Sequence, residues 1–477
     1  MLNNAVSSSA TLASLLVSIA TCACTPSRNI SRDVVIIGGG ASGSHAAVWL
    51  RDQGKSVALV EKQGVLGGHT AVYNDPDTGK PINVGVQSWI EYENTMDFVK
   101  RMGVSTNGSM QFTTLTSKFI DFKTGLPVDG YVLPADTDKY AAFQKFLDIC
   151  EKYQEMVLPG FFNFPDANSI PEDLLMPFSQ FVNKHNISAG VPGIWEATAM
   201  GLGNTMDVPT LYVMQASGVP MVRALLGIGA AVVPPSGSLH ELYEAIATFL
   251  GDDVLYSSTV VKSMRHENGV SVHIANVNQI VTVINAKRLL IAIEPTVENM
   301  APFALDDTEA EVLDKFGFAT VFAGILKHPS LELSTSYSNT LPAAAPDNWT
   351  VYPTASQVGR IDYLGETADL FQFTAVGTEQ DTAESMQVLI GETIDTMIAA
   401  GTLPASNGSV SFPAFANHGM MHSRVSADEL RAGFIQQQYA LQGHRSTYYT
   451  GAAFSAGFST ILWAFNEELL PKIIQEI

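Results

Sequence analysis

The feature that most constrains this chain is a glycine-rich turn between an apolar run and a stretch of small residues, DVVIIGGGASGSHAAVWL. The β-branched run predicts a buried parallel strand, and the pattern after the glycines predicts a helix. Gly38, Gly40 and Gly43 form a G-x-G-x-x-G motif. Such glycines allow a tight turn, a close approach of the backbone to a pyrophosphate, and close contact between helix and strand. The stretch therefore predicts a dinucleotide site at the helix N-terminus.

The second predicted strand, SVALVEK, narrows the class of nucleotide. It ends at Glu61, where a carboxylate can accept hydrogen bonds from an adenosine ribose and would repel the 2′-phosphate of NADP. Beyond it, VLGGHT places Gly67 and Gly68 where the phosphate and ribityl groups of a cofactor longer than NAD would pass. These two observations favour FAD.

Three later segments supply further parts of the same domain. GSLHELYEAIATFLGDDVLYSSTVVKSM predicts a helix and then a strand centred on Val260 and Val261, and AKRLLIAIEP predicts another strand. STYYTGAAFSAGFSTILWAFNEELL predicts a strand, a turn at Gly451 and a helix that opens around residues 458–460. The start of that helix would direct unpaired N–H groups and its positive dipole end at an anion.

In this order, the segments resemble the flavin-containing amine oxidase superfamily, which also holds phytoene-desaturase-like enzymes. Within it, the chain is most similar to FAD-dependent oxidoreductases of the fungal β-cyclopiazonate dehydrogenase type. The resemblance implies an α/β fold with a discontinuous, Rossmann-like FAD-binding domain of the GR2 or amine-oxidase type, over residues 32–95, 235–297 and 416–477. An α+β substrate domain with a helical cap would comprise residues 96–234 and 298–415.

The resemblance also implies which residues contact FAD. Those that match the nucleotide fingerprint are Gly38, Gly40, Ala41, Ser42, Gly43, Glu61 and Lys62. Those in the family's G-G-R turn, here with histidine in place of arginine, and in the loop beside the flavin are Gly67, Gly68, His69, Gly85, Val86, Gln87 and Ser88. Those at the adenine, at the C-terminal glycine and at the helix start beneath the pyrimidine edge are Val261, Gly451, Ala452, Phe458, Ser459 and Thr460.

Two departures from the family pattern bear on the reaction. Ala452 stands where the family has Glu or Asp on the ribityl chain, and the strand FGFATVFAGIL lacks the lysine that holds a water near the flavin in amine oxidases. The second departure argues against classical amine oxidation. The candidate catalytic residues are His418, His422 and Phe458, with a purely structural role as the alternative for both histidines. His69 is a candidate for covalent attachment to the flavin.

Several ligand classes are disfavoured by the sequence. The chain has 26 Lys and Arg against 47 Asp and Glu, a net charge of -21 that disfavours nucleic acid. His418 and His422 are four residues apart, but further metal ligands are not identifiable, and no metal is expected. Cys150 stands in a helical pattern and is expected to fill the core. Aromatic residues in the predicted substrate domain are mostly core by burial bias, and the pocket candidates are Trp349, Tyr352, Tyr363 and Phe373.

The N-terminus predicts a secreted or secretory-pathway glycoprotein. No charged residue precedes Arg28, and TLASLLVSIATCAC is apolar but too short to span a bilayer, which predicts a signal peptide over residues 1–24 and no stable membrane span. The N-x-S/T sequons that agree with this route are at Asn29, Asn107, Asn186, Asn348 and Asn407.

These observations predict an FAD-dependent oxidoreductase that removes a hydride from a C–H or C–N centre of an apolar small molecule, such as a secondary metabolite. Oxygen is the expected electron acceptor, because the chain has no second complete G-x-G-x-x-G for a nicotinamide cofactor. A redox-neutral flavin-dependent double-bond isomerase, for example of fatty acids, and a non-catalytic FAD-binding protein are the alternatives.

Overall fold

The computed structural model describes residues 28–110, 113–198, 202–354, 356–365 and 367–477. The signal peptide predicted for residues 1–24 lies outside the described residues. Strands and helices occur in both halves of the chain. The strands are β1 (Arg28–Ile37), β2 (Val57–Val60), β3 (Thr70–Asn74), β4 (Pro81–Gly85), β5 (Trp89–Ile90), β6 (Thr116–Asp121), β7 (Leu126–Pro127), β8 (Ala231–Val232), β9 (Val254–Leu255), β10 (Ser258–His266), β11 (Gly269–Asn276), β12 (Val281–Ile291), β13 (Gly317–Lys327), β14 (Thr335–Asn339), β15 (Gln357–Tyr363), β16 (Phe371–Gly377), β17 (Ser411–Arg424) and β18 (Thr447–Tyr449).

The helices include one long element, α3, and several of only one or two turns. They are α1 (Ala41–Asp52), α2 (Met96–Arg101), α3 (Asp136–Val157), α4 (Glu172–Leu175), α5 (Phe178–His185), α6 (Val191–Ala197), α7 (Thr210–Ala216), α8 (Val219–Leu225), α9 (Glu241–Leu250), α10 (Val297–Met300), α11 (Asp307–Leu313), α12 (Ala383–Ala399), α13 (Ala427–Arg431), α14 (Phe434–Ala440) and α15 (Ser459–Gln475).

A seven-stranded sheet forms the nucleotide-binding layer. Its parallel strands run in the order β9–β2–β1–β12–β18, and β10 and β11 extend β12 in antiparallel pairing. Numbered along the chain, these five parallel strands have the order 3-2-1-4-5, as in a Rossmann fold. Val34, Val35 and Ile36 of β1 are fully buried, because a central parallel strand is covered on both faces. The glycine turn therefore lies at the carboxyl edge of the central strand, as the sequence predicted.

The second sheet has the order β17–β13–β16–β15–β14–β6–β7 and is antiparallel except for the β6–β14 pair. Helix α12 packs on it through Met386 and Ile390, which share a core with Phe373. Helices α3 to α8 lie between β7 and β8 along the chain. This α+β arrangement agrees with the predicted substrate domain. The segment 96–234, which read as helical, also supplies β6 and β7 to the sheet, and the predicted boundary at residue 416 falls inside β17.

Cys150 is buried within α3, as expected for a residue that fills the core. Burial raises the pKa of its thiol, so the side chain stays neutral and unreactive. Phe373, one of the aromatic pocket candidates, is also part of a core, between the second sheet and α12. Tyr352 instead stacks on Trp195 with ring centroids 4.5 Å apart. None of the described helices is long and apolar enough to cross a membrane.

A buried ion pair connects three elements of the nucleotide-binding layer. Arg265 of β10 donates to both carboxylate oxygens of Glu309 on α11, at 2.5 and 2.7 Å, and both side chains are fully buried. Tyr449 of β18 donates to the same carboxylate at 2.8 Å. Asp306 and His444 lie close enough to Glu309 for the three side chains to hold a metal ion. The guanidinium of Arg265 already balances the charge of Glu309, however, so we interpret the group as an ion-pair network.

We expect the substitution Glu309→Gln to lower the free energy of unfolding by about 3–5 kcal/mol, because it leaves the guanidinium of Arg265 buried without its countercharge. Denaturant unfolding of the FAD-loaded protein measures this. The matched control is Asp52→Asn, which breaks the exposed pair with Arg101 and should cost less than about 1 kcal/mol. Equal losses in the two variants would contradict the role given to the buried pair.

Candidate cofactor site

The turn after β1 contains two glycines that leave no room for a side chain, and a third that adjoins open space. Gly38 has φ +103°, and a Cβ on it would lie 2.7 Å from the carbonyl oxygen of Ala292. A Cβ on Gly43 would lie only 1.9 Å from the carbonyl oxygen of Gly38. A Cβ on Gly40 would meet nothing nearer than Gly68 Cα at 3.8 Å, which leaves open space over this glycine. The first and third glycines are thus required by the protein itself, and the second adjoins the space for a ligand, as the motif predicted.

Glu61 is held directly against this turn. Its Oε2 accepts the backbone N–H of Gly39 at 2.7 Å, and its Oε1 accepts that of Gln63 at 2.7 Å. The residue is buried, whereas the neighbouring Lys62 is exposed. Because each carboxylate oxygen can accept more than one hydrogen bond, the fixed carboxylate can still receive ribose hydroxyl groups.

Two helices present uncapped N-termini to the same region. Helix α1 follows Gly40 and α15 follows Phe458, and neither has a side-chain cap or an acidic residue in its first turn. Free N–H groups and the positive dipole end make such termini suitable for anions. The phosphates and the reduced flavin of FAD carry negative charge.

A polar network fixes these helices to the sheet. Ser42 of α1 and Thr450 share a hydrogen bond of 2.6 Å, and Thr450 donates to Asn466 of α15 at 2.7 Å. The Asn466 amide donates to the backbone oxygen of Ser42 at 2.8 Å. Ser42 therefore uses its side chain for this network, which leaves phosphate contacts to the backbone. Asn466 did not emerge from the sequence motifs; the one signal was an asparagine on the apolar side of a predicted helix.

The second glycine pair folds back on the first. Gly67 donates its N–H to the Gly39 oxygen at 2.9 Å, and a Cβ on Gly68 would lie 3.0 Å from Gly40 Cα. The backbone oxygen of His69 then accepts the Val86 N–H at 3.3 Å. This bond brings the loop of residues 85–88 to the same place. The sequence predicted both loops as cofactor contacts, and the structure shows how they meet.

Three histidines gather at this loop. The rings of His69 and His418 are 5.1 Å apart, and a Cβ on Gly85 would lie 2.8 Å from His418 Cε1. The Cε1 of His422 is 3.7 Å from the position of a Cβ on Gly457, just before α15. Burial lowers the pKa of His418 to about 3 and that of His422 to about 4, and it also lowers the pKa of His69. All three imidazoles are therefore neutral at neutral pH.

The adenine end has a feature of its own. The register of β10 against β11 shifts between Val260 and Lys262, so Val261 has no cross-strand partner residue. A bulge of this kind leaves the backbone groups of the extra residue unpaired in the ladder. This agrees with the expectation that the Val261 backbone meets the adenine ring. Its side chain is 51% exposed.

The site also contains buried polar atoms that make no hydrogen bond of normal geometry with any described residue. They are Trp89 Nε1, Glu294 Oε2, His418 Nε2 and Ser423 Oγ. Leaving such a group unpaired costs about 1–3 kcal/mol, and a polar ligand bound here would pair with these atoms. Together with the open space over Gly40 and the two free helix termini, they fit a cofactor that has phosphates, hydroxyl groups and a polar ring.

Comparison with known proteins decides the family. The NAD(P)-binding Rossmann-like domain family matches residues 36–102. The FAD-dependent oxidoreductase pigF of Monascus ruber is 34% identical over 453 residues, which cover 94% of this chain and 93% of that protein. The chain belongs to this family of FAD-dependent oxidoreductases. The β-cyclopiazonate dehydrogenase of Aspergillus oryzae, 31% identical over 93% of each chain, is another member.

Solved structures agree with the fold of this FAD-dependent oxidoreductase. The CLA-producing fatty acid isomerase from P. acnes has a TM-score of 0.70 at 18% identity, over 92% of this chain and 98% of that one. Cyclohexylamine oxidase from Brevibacterium oxydans IH-35A has a TM-score of 0.60 at 18% identity, over 93% and 99%. The predicted amine-oxidase-type fold and FAD as the cofactor are confirmed. The individual contact residues stay predictions that the geometry supports.

Gly43→Ala should weaken the affinity for FAD about 5- to 150-fold and so lower the FAD content of the purified protein, because moving the turn away from the new methyl group costs on the order of 1–3 kcal/mol. The ratio of flavin to protein absorbance measures the effect. Gly64→Ala is the control, since a Cβ there meets nothing within 4 Å, and it should bind FAD fully. Full FAD content in Gly43→Ala would refute the close-approach argument.

Acidification from pH 7 to pH 5 should destabilise the protein partly through His418 and His422. Below pH 6.5 the unfolded chain protonates both histidines, whereas the folded chain does so only near pH 3 to 4, so stability is lost as the pH falls. The loss should be on the order of 2 kcal/mol per histidine. Urea unfolding at both pH values tests this with His418→Gln and His422→Gln, which should show smaller losses. His266→Gln, at an exposed position, should behave like the wild type.

Proposed function

We propose that this oxidoreductase removes a hydride from a C–H or C–N centre of an apolar small molecule, such as a secondary metabolite, and passes the electrons to molecular oxygen. The observation that carries the proposal is the similarity to an FAD-dependent oxidoreductase along 94% of this chain. A small cavity at His422 has no residue among its described lining residues that is charged at neutral pH, which suits an uncharged group there. Its lining is part apolar and part polar, with Leu202, Tyr212, Ala216, Ala452 and Gly457 beside Gln215, Ser423 and Ser455. Bound FAD supplies the two-electron acceptor for such a reaction.

The histidines are assigned an orienting role. A pKa of about 3 for His418 and about 4 for His422 makes these imidazoles weak bases at neutral pH. A neutral imidazole can still donate and accept one hydrogen bond each, which suffices to align a polar group of an otherwise apolar substrate. Phe458, directly before α15, leaves the helix N-terminus free to stabilise negative charge.

The structure of β13 supports a substrate other than a simple amine. Residues 317–326 of this strand contain no lysine, and Lys327 at its end pairs with Asp369 at 2.7 Å. The lysine-bound water on which amine oxidases rely therefore has no equivalent in β13. Oxygen as acceptor is supported by the sequence, which has one complete G-x-G-x-x-G and so one nucleotide site.

The redox-neutral isomerase stays the second candidate, because an isomerase would use the same cofactor site and an uncharged cavity. It would turn over substrate without net consumption of oxygen. A non-catalytic FAD-binding protein would leave the flavin oxidised with every substrate. Whether FAD is attached to His69 is decided by acid denaturation, since a covalent flavin stays with the precipitate.

We also propose that the protein enters the secretory pathway. The asparagines of all five sequons, at positions 29, 107, 186, 348 and 407, are exposed, as glycosylation requires. Treatment of the natural protein with an N-glycosidase tests this through the shift in mass. A mass unchanged by the enzyme and equal to that of the full chain would count against both the glycans and the signal peptide.

An apolar substrate should bleach the flavin absorbance of the purified protein under anaerobic conditions, and admission of oxygen should restore it with one hydrogen peroxide formed per substrate. NADH should leave the flavin oxidised, because the sequence has no second complete G-x-G-x-x-G for a nicotinamide cofactor. Stopped-flow absorbance and an oxygen electrode measure these steps. Turnover of substrate without oxygen consumption would instead favour the isomerase.

A further inference from the structure

Glu294 lies just beyond β12, at the carboxyl edge of the parallel strands. Its Oε2 is buried and makes no hydrogen bond of normal geometry within the described part of the chain. The backbone oxygen of Glu294 accepts hydrogen bonds from Thr296 N and Asn299 Nδ2, both at 2.9 Å, and these fix the turn that holds the side chain. Leaving a buried carboxylate oxygen without a well-formed hydrogen bond is costly, which indicates that a ligand completes it.

The position of this side chain connects it to the cofactor site. Ala292 lies against the glycine turn at Gly38. The pairing of β12 with β18 ends at Ile291, whose oxygen accepts the Thr450 N–H at 2.9 Å. Beyond this hydrogen bond, the segment after β12 continues through Glu294 and the segment after β18 continues through Ala452. Carboxyl edges of this kind, outside neighbouring parallel strands, are where such sheets bind ligands.

A second polar group lies beside this carboxyl group. The hydroxyl of Ser423, at the end of β17, is buried and contacts the side chain of Glu294 as a hydrogen-bonding group, although not in the geometry of a normal hydrogen bond. Ser423 lines the same cavity as Ala452. Burial raises the pKa of Glu294 to about 7, against the opposing effect of the Ser423 hydroxyl. Near neutrality the carboxyl group is therefore present in both protonation states, and the site offers both donors and acceptors.

The chemistry of these groups selects one part of FAD. Beside the phosphates a carboxylate would meet like charge, and the adenosine ribose is matched by Glu61 on the opposite side of β1. Hydroxyl groups can donate to a carboxylate and accept from a carboxylic acid, so a polyol suits Glu294 in either state. The ribityl chain is the polyol of FAD.

We propose that Glu294 binds the ribityl hydroxyl groups of FAD, with Ser423 beside it, and that it supplies from the β12 side the carboxyl group that position 452 on the β18 side lacks. Glu294 is thus a cofactor-binding residue. Its role is independent of which substrate the enzyme oxidises, because the contact involves the cofactor alone.

The test measures the affinity of the apoprotein for FAD and for FAD analogues that each lack one ribityl hydroxyl. Flavin fluorescence reports the binding. Glu294→Ala should weaken FAD binding about 10- to 100-fold. In the wild type, at least one deoxy analogue should bind more weakly than FAD by a similar factor. In Glu294→Ala, the same analogue should bind as tightly as FAD. Glu298→Ala, four residues further and exposed on α10, is the matched control and should bind FAD like the wild type.

Thermal melting separates this role from a merely structural one. The apoprotein of Glu294→Gln should have a Tm no lower than that of the wild-type apoprotein, because the substitution replaces a carboxyl group whose buried oxygen lacks a well-formed hydrogen bond. The rise in Tm on adding FAD should be smaller in this variant than in the wild type. Full FAD affinity in Glu294→Ala, or discrimination against every deoxy analogue that persists in that variant, would overturn the proposal. So would a lower Tm of the Glu294→Gln apoprotein combined with an unchanged rise on adding FAD. None of these measurements uses a substrate.

Discussion

The close approach of Gly43 to the carbonyl oxygen of Gly38 is the contact on which the rest of the site depends. A single methyl group at residue 43 would lie 1.9 Å from that oxygen, so α1 can start this near the sheet only without a side chain there. The start of α1 then sets where its free N–H groups lie, and Gly39 becomes the anchor for both Glu61 and Gly67. The acid of the second strand and the second glycine pair are thus positioned by one turn.

Charge around this turn is arranged in a consistent way. Helices α1 and α15 begin at this region without side-chain caps, and the acidic side chains of Glu61 and Glu294 follow the strands on either side of β1. The histidines beside the glycine loops are neutral because burial lowers their pKa. The positive electrostatic potential is thus supplied by the N-terminal ends of helix dipoles. These need no counter-ion, and their protonation does not change when an electron pair arrives.

Local signals in the sequence were sufficient for the nucleotide-binding layer. The β-branched run of β1, the glycine spacing, Glu61 and the glycine pair at residues 67–68 are each readable within a few residues, and the structure brings them together as predicted. His418 and His422 were also found, but only as separate candidates. Asn466 and Glu294 were missed, because a single polar residue within or after an apolar run carries no periodic signal. Their roles depend on partners more than a hundred residues away.

The sequence by itself determined the fold class, the cofactor and the ends of the elements that hold it, because these depend on turn sterics and on hydrophobic period within short segments. Only the tertiary structure decided which groups share the site. The pairing of β12 with β18 sets Ile291 beside Tyr449, so the segments that continue to Glu294 and to Ala452 leave the same edge of the sheet, and β17 carries His418 to Gly85. It also decided the protonation of the histidines, since an imidazole keeps its proton or loses it according to the burial that distant segments impose.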